Sequence, residues 1–269
     1  MFDPHLARWR LTADGDPIIT HSGRLLPVRL EGAPAMLKLA ADTEERFGAA
    51  LMEYWGGEGA ARVLARDGEA LLMERAEGPS RLDEMARTGR DDEASRILCA
   101  VATRLHAPRP NPPPELVPLT DWFRELWPAA DARGGILARS AAAAGELLAE
   151  PREVVVLHGD LHHGNVLDFG PRGWLAIDPK RLRGERAFDY ANIFTNPDLD
   201  DPSRPVATTP GRFARRLEVV CEAAGLERER LLRWILAWTG LSAVWYLGDG
   251  DPAHVDLTIA ELAAAELGR

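Results

Sequence analysis

Two aspartates, an asparagine and a lysine in this 269-residue chain have the types and spacing needed to handle a phosphate group. In His158-Gly159-Asp160-Leu161-His162-His163-Gly164-Asn165, an aspartate stands five positions before an asparagine, just after the apolar run Val154-Val155-Val156-Leu157. Ile177-Asp178-Pro179 follows thirteen residues beyond Asn165. Phosphoryl transfer from a nucleoside triphosphate to a hydroxyl needs a carboxylate to take or orient the proton. It also needs hard oxygen donors to hold a divalent cation on the phosphates, and a lysine to neutralise the α- and β-phosphates. Asp160, then Asn165 with Asp178, then Lys38 supply these groups in the chain order of a kinase-like site.

The three histidines between 158 and 163 invite a second reading, a metal hydrolase. A zinc site of that kind needs a helix to bring two imidazoles onto one face. The β-branched run before His158 and the glycine after it predict a strand and a turn instead. His158 is then expected to brace the loop through backbone hydrogen bonds, with His162 and His163 structural or lining a cleft.

Composition adds weight to the lysine. The chain has 30 arginines and 2 lysines (Lys38 and Lys180), no glutamine, and asparagine only at 111, 165, 192 and 196. Arginine replaces lysine on a solvated surface at little cost, but not where a compact ammonium on a flexible stem is required. The surviving lysines and asparagines therefore mark places to look.

The elements around these residues fall into two textures. In the first 75 or so residues, Ile18–Thr20, Leu25–Leu30, Ala35–Ala40, Arg62–Arg66 and Glu69–Met73 read as strands, the last two as a hairpin around Asp67-Gly68. Alternation in Ala35–Ala40 puts Met36, Lys38 and Ala40 on one face and Leu37 and Leu39 on the other. Asp42 followed by Glu45 resembles a capping box that opens a helix through Tyr54. Helical periodicity then dominates over 91–106, 119–126, 212–224, 228–247 and 253–267, interrupted by the Val154–Leu157 strand and a hairpin formed by Val166–Phe169 and Trp174–Ile177. This predicts an α+β, bilobal, protein-kinase-like fold. Residues 1–77 form a small antiparallel-sheet lobe with one helix, a hinge lies at about 74–80, and residues 78–269 form a mainly helical lobe with an embedded β-hairpin. The cleft between lobes is the expected ligand site.

Charge and length exclude other classes. A net charge of −10 argues against nucleic-acid or anionic-membrane partners and suits a neutral or cationic small molecule. No stretch approaches the length of a membrane span, and the N-terminus lacks the features of a signal peptide, so a soluble cytoplasmic protein is expected. Cys99 and Cys221 are expected to be buried free thiols. The proline-rich 108–118 segment is expected to be a surface loop.

His-Gly-Asp-x-x-x-x-Asn followed by Ile-Asp-Pro resembles the aminoglycoside phosphotransferase and choline-kinase-like superfamily. Leu157–His163, Gly173–Pro179, Gly184-Glu185, Ala191-Asn192 and Leu241–Trp245 are similar to its streptomycin 6-kinase (aminoglycoside/hydroxyurea resistance kinase) branch. The resemblance implies ATP as co-substrate, Mg²⁺ as cofactor, Asp160 as catalytic base, and Asn165 and Asp178 as metal ligands. It further implies Lys38 on the phosphates, with Glu45 (or Glu44) as its helical partner, and Met73, Glu74 and Ala76 at the hinge beside adenine. No Gly-x-Gly-x-x-Gly precedes Lys38, so His21-Ser22-Gly23 is expected over the phosphates, with Ser22 as the contact.

The acceptor side carries no readable code. Lys180 either reaches a phosphate or pairs with Glu185, and Asp189 is either a loop brace or a substrate ligand. Asp249, Asp251 and Asp256, like Asp198, Asp200 and Asp201, are either solvated or bind ammonium or guanidinium groups. The expected activity is ATP-dependent O-phosphorylation of an aminoglycoside such as streptomycin, of the 6-kinase type. The alternatives are a same-fold kinase of a sugar, amino sugar or choline-like amine, and a non-catalytic nucleotide-binding relative.

Overall fold

The computed structural model describes residues 1–20, 23–40 and 43–268, and the side chains of all of these except 43–47. The chain opens with helix α1 (Asp3–Trp9), followed by strands β1 (Leu11–Ala13), β2 (Ile18–Ile19), β3 (Gly23–Leu30) and β4 (Ala33–Ala40), helix α2 (Thr43–Trp55), and strands β5 (Val63–Asp67) and β6 (Ala70–Glu74). The strands form one antiparallel sheet in the order β1-β3-β4-β6-β5, with β2 also on β3. β4 is central: Lys38 lies opposite Leu25 of β3 and Leu71 of β6.

The two faces of β4 separate as period-two alternation requires. Leu37 and Leu39 join Leu26, Val28 and Leu72 in a core on one face of the sheet, covered by Phe2, Leu6 and Trp9 of the N-terminal segment. Met36 joins a second apolar cluster with Met52, Met73 and Ala76, which also includes Leu167, Phe169, Leu175 and Ile177 from the far half of the chain. The first of these faces corrects the expectation of a single helix. α1 is a second one, opened by Pro4 and closed by Arg10 in the left-handed conformation.

The rest is mainly helical. Helices α3 (Leu82–Met85), α4 (Asp91–His106), α5 (Leu119–Trp122), α6 (Leu126–Arg133), α7 (Gly135–Ala149), α8 (Arg212–Ala224), α9 (Arg228–Gly248) and α10 (His254–Leu267) surround the largest core. The stretch expected as one helix over 119–126 is broken by a 3-10 turn at Phe123–Glu125 between α5 and α6. Trp238 and Trp245 share a face of α9 and pack edge to face at 5.7 Å, and Trp122 adds a third ring. Cys99 is buried but Cys221 is only partly so, and neither is bonded. No helix among the described residues is long and apolar enough to cross a membrane.

Five short strands are set among these helices: β7 (Val117–Pro118), β8 (Val154–Leu157), β9 (Val166–Asp168), β10 (Trp174–Ala176) and β11 (Leu182–Glu185). β9 and β10 make the expected hairpin. β8 is not the buried strand its β-branched run suggests. It is the edge of a three-stranded sheet, β7-β11-β8, with Val154 42% exposed and only Leu157 fully buried.

Contacts tie the halves together on both sides of the cleft. Ala61 N–H donates to Ala176 O, and Ala176 N–H to Gly59 O, both at 2.9 Å. The connecting segment crosses the hairpin at Gly78, whose N–H reaches Asp168 O at 2.9 Å. A β-carbon at Gly78 would stand 1.9 Å from the Asp168 carboxyl carbon, so a side chain there would push that carboxylate off the Gly170 and Ser80 N–H groups it accepts.

Candidate active site

The loop that carries Asp160 and Asn165 is held by hydrogen bonds to backbone. Asp160 and Asn165 belong to the loop leaving β8. The Asn165 side-chain N–H₂ donates to Asp160 O at 2.9 Å and more weakly to Asp160 Oδ2 at 3.3 Å. Asn165 O in turn receives Ile177 N–H at 2.9 Å, which fastens the loop to the residue before Asp178. Asp178 itself has φ +61°, a left-handed conformation that a non-glycine residue adopts at a cost of about 1–3 kcal/mol. This turn aims its carboxylate across the cleft at Lys38, and the two form an ion pair.

His158 holds the loop from beneath. Its Nε2 faces the Ile177 carbonyl at 2.9 Å, and its Nδ1 receives Asp160 N–H at 3.2 Å. A carbonyl can only accept, so the proton sits on Nε2 and Nδ1 is free to accept. Full burial lowers the pKa of this imidazole and keeps it neutral, as that pattern needs. Trp55 stacks on it at 6.1 Å.

Asp189, one of the acceptor candidates, is withdrawn from any acceptor by the same network. It is completely buried. It accepts the backbone N–H groups of His158 at 2.9 Å and Gly159 at 2.7 Å, and its Oδ2 lies 2.7 Å from His106 Nε2. This is the loop brace.

Other candidates disperse. Ser22 lies outside the described residues, as do the side chains of Glu44 and Glu45. Met73 is buried in the apolar cluster that spans the two halves, with Ala76 packed on it. The Glu74 carboxylate accepts Arg62 N–H at 2.7 Å and pairs with Arg172, and the Glu74 N–H donates to Arg62 O at 3.0 Å, so its side chain and its N–H are both engaged within the protein. The Lys180 backbone N–H is bonded to His158 O at 2.7 Å. Glu185, its candidate partner, is held by Arg230 and by Arg152 N–H at 2.9 Å. Asp198 is fully buried and accepts Val206, Ala207 and Thr208 N–H groups, so it is a loop brace too. Asp249 is exposed at the end of α9, and Asp251 accepts Ala253 N–H at 2.8 Å.

Asn192, given no role in the sequence, lies beside Asp160, and His162 lies between Asp160 and Asp200. The Asn192 N–H₂ reaches Asp160 Oδ1 at 3.5 Å and Gly159 O at 3.4 Å. His162 places Nε2 3.8 Å from Asp160 Oδ1 and Nδ1 3.9 Å from Asp200 Oδ2. The rarity of asparagine pointed to Asn192, but nothing local in the sequence pairs it with Asp160.

The donor set suits a divalent cation that keeps phosphate oxygens as ligands. Asn165 commits its amide nitrogen to Asp160, which leaves its amide oxygen, a hard donor, as the end turned elsewhere. Among the described residues, no group of three or more His, Cys, Asp or Glu gathers as a protein-only metal cage, as a zinc hydrolase would need. Mg²⁺ asks for one or two carboxylates and takes the rest from phosphate and water.

An antiparallel sheet bearing a buried lysine, facing a hairpin with an aspartate–asparagine loop and a second aspartate, defines a phosphotransferase of the protein-kinase-like class. The aminoglycoside/hydroxyurea antibiotic resistance kinase model matches residues 8–250, and the chain belongs to that family. The chain is 58% identical over 262 residues to a streptomycin 3''-kinase from Klebsiella pneumoniae, covering 96% of this chain and 98% of that one. It is 34% identical over 275 residues to a streptomycin 6-kinase from Streptomyces griseus, covering 96% and 85%. A solved thermostable mutant of an aminoglycoside phosphotransferase, in ternary complex with ADP and hygromycin B, shares the fold, with TM-score 0.71, 14% identity and 97% of each chain covered.

Proposed function

We propose that the chain transfers the γ-phosphoryl group of ATP to a hydroxyl of streptomycin, and that the hydroxyl is the 3''. The observation that carries the chemistry is the convergence of Lys38, Asp178, Asn165 and Asp160 from distant parts of the chain on one cleft. The acceptor rests on the 58% identity to a streptomycin 3''-kinase across nearly all of both chains. The streptomycin 6-kinases, at 34% identity, keep the 6-hydroxyl as the second reading.

In this reading residues 1–77 hold the nucleotide and residues 78–269 hold the acceptor. The purine lies in the apolar cluster of Met36, Met73, Ala76, Leu167 and Ile177. Lys38 neutralises phosphate oxygens, while Asp178 and Asn165 are the ligands for Mg²⁺. When bound, Mg²⁺ supplies charge neutralisation on the phosphates. Asp160 accepts the hydroxyl proton as the acceptor oxygen bonds to the γ-phosphorus and the bond to the β-phosphate oxygen breaks, releasing ADP. The transition state of such transfers is loose, so orientation and charge neutralisation carry more of the rate than proton abstraction.

The test is streptomycin-dependent ATP turnover by the purified chain, with the phosphorylated position read by nuclear magnetic resonance of the product. Asp160→Asn should lower turnover by about 10²–10⁴-fold and leave Mg·ATP affinity nearly unchanged. A product phosphorylated at the 6-hydroxyl selects the second reading. No streptomycin-dependent turnover refutes both.

A further inference from the structure

The three histidines of the loop after β8 have three different surroundings. His158 is occupied by the Ile177 carbonyl and the Asp160 N–H, as described. His163 points into the helical half. Its side chain is fully buried, with Nε2 4.0 Å from Asp91 Oδ1, a carboxylate that Arg216 grips with two nitrogens at 3.1 and 2.6 Å. His162 is neither occupied nor sealed. Its side chain is 15% exposed and lies between those of Asp160, 33% exposed, and Asp200, 47% exposed.

The His162 ring is held in one orientation. Gly164 N–H donates to its Nδ1 at 3.2 Å. A ring nitrogen that accepts carries no hydrogen, so the hydrogen of this imidazole is on Nε2. A β-carbon at Gly164 would stand 3.0 Å from the ring's Cε1 and 3.3 Å from Asp200 Oδ2, so the seat is closed on that side. Nε2 is left facing Asp160, 3.8 Å from Oδ1. That separation is too long for a hydrogen bond and short enough for one oxygen atom to bridge, at about 2.8 Å from each end.

Asp160 has capacity for such an oxygen. Asn165 donates to its Oδ2 at 3.3 Å and Asn192 to its Oδ1 at 3.5 Å, both long, whereas an ionised carboxylate accepts about four hydrogen bonds. A hydroxyl oxygen has one hydrogen and two lone pairs. With the hydrogen on Asp160 and one lone pair on the His162 N–H, the other lone pair has a single direction left. A carboxylate acting alone fixes only the hydrogen.

We propose that His162 is a second catalytic residue at the acceptor, its Nε2–H donating to the same hydroxyl oxygen whose proton Asp160 takes. The inference rests on the reading of the chain as a kinase of a hydroxylated acceptor. As that oxygen bonds to the γ-phosphorus and the bond to the departing ADP breaks, the hydroxyl proton passes to Asp160. His162 keeps its own hydrogen throughout. Its contribution is direction, on which a loose transition state depends.

Two substitutions separate the two ring nitrogens. His162→Gln keeps an N–H donor at the place of Nε2 and loses the acceptor for Gly164 N–H. His162→Asn keeps that acceptor, as an amide oxygen near the place of Nδ1, and loses the donor facing Asp160. The experiment measures kcat and both KM values for streptomycin phosphorylation, with urea denaturation alongside. His162→Asn should lower kcat by about 10–100-fold, with KM for streptomycin and for Mg·ATP within about threefold of wild type. His162→Gln should keep kcat within about fivefold of wild type, although its loop has lost a hydrogen bond. The opposite order, or equal losses in the two variants, means that the ring only holds the loop and overturns the proposal. Should either variant fail to fold, wild type decides. The nitrogen-15 resonance of His162 Nε2 should carry a bonded hydrogen and shift when streptomycin joins Mg²⁺ and a non-hydrolysable ATP analogue; a resonance that stays put overturns the proposal. Each of these negative results leaves the streptomycin kinase reading intact. Wild type without streptomycin-dependent turnover overturns that reading, and the role of His162 with it.

Discussion

The ammonium of Lys38 and the carboxylate of Asp178 form an ion pair between residues 140 positions apart in the chain. The lysine side chain is 6% exposed and the aspartate 29%, so the pair is sheltered on one side and open to the cleft on the other. One partner sits on the central strand of the sheet, the other on a strained turn after the hairpin. Phosphate oxygens entering the cleft would meet a lysine already held in place.

Replacing Lys38 with alanine should lower kcat/KM for ATP by at least about a hundredfold. Lys38→Arg should not restore it, because a planar guanidinium is wider than an ammonium and the site is buried between Leu25 and Leu71. Steady-state kinetics on both variants checks this; near-normal turnover by Lys38→Arg would refute the compact-charge argument.

Asp189→Asn should cost about 2–4 kcal/mol of stability, since one of the two backbone N–H donors in the His158–Gly159 loop then loses its acceptor. The loop carrying Asp160 should loosen with it. Expected readouts are a lowered denaturation midpoint in urea and a fall in kcat greater than any rise in KM for ATP. Unchanged stability would show that the brace is dispensable.

Arg216 is almost fully buried and, besides Asp91, donates to the carbonyls of Ile193 at 2.5 Å and Asn196 at 2.8 Å. Arg216→Ala strands the Asp91 carboxylate and should destabilise the fold by about 3–5 kcal/mol. The double variant Arg216→Met with Asp91→Leu should recover a good part of that loss. Chemical denaturation of the three proteins decides between these outcomes.

Asp256, completely buried in the first turn of α10, makes a prediction about stability. Its pKa is raised to about 7 in the folded chain, so between pH 3.8 and 7 the unfolded chain sheds a proton that the folded chain keeps. That costs stability progressively as pH rises through this window, up to about 4 kcal/mol, and the cost is constant above it. Asp256→Asn should therefore gain stability relative to wild type from pH 4 to pH 7 and hold the gain at pH 8. A pH-independent difference would mean the carboxyl is not held protonated.

The four residues that converge on the cleft were legible in the sequence because phosphoryl chemistry would fix both their types and their spacing. Asp160, Asn165 and Asp178 sit on one loop and one hairpin, and Lys38 sits on a strand whose alternation is plain. Less legible were elements whose pattern is sparse. α1 shows only Phe2, Leu6 and Trp9, the helical spacing that covers the sheet, in a stretch otherwise polar. β11 is hidden by Arg183 and Glu185, the latter buried against Arg230. Which acidic side chains are buried could not be read at all. Asp256 looks in sequence like an ordinary acidic residue in a helix's first turn, where solvent and the helix dipole would favour it. Only the packing of α10 on α9 takes it out of water.

Gly48 sets how closely the two halves approach. A β-carbon there would lie 2.7 Å from the Pro179 carbonyl, so the backbone of α2 rests directly on the turn that carries Asp178. With the Gly59–Ala61 and Gly78 crossings on the hairpin, α2 is tied both to the helical half, through Gly48, and to the sheet, through the Glu53–Arg66 ion pair. The approach of the two halves beside Asp178 is therefore backbone against backbone, with no room for a side chain at position 48.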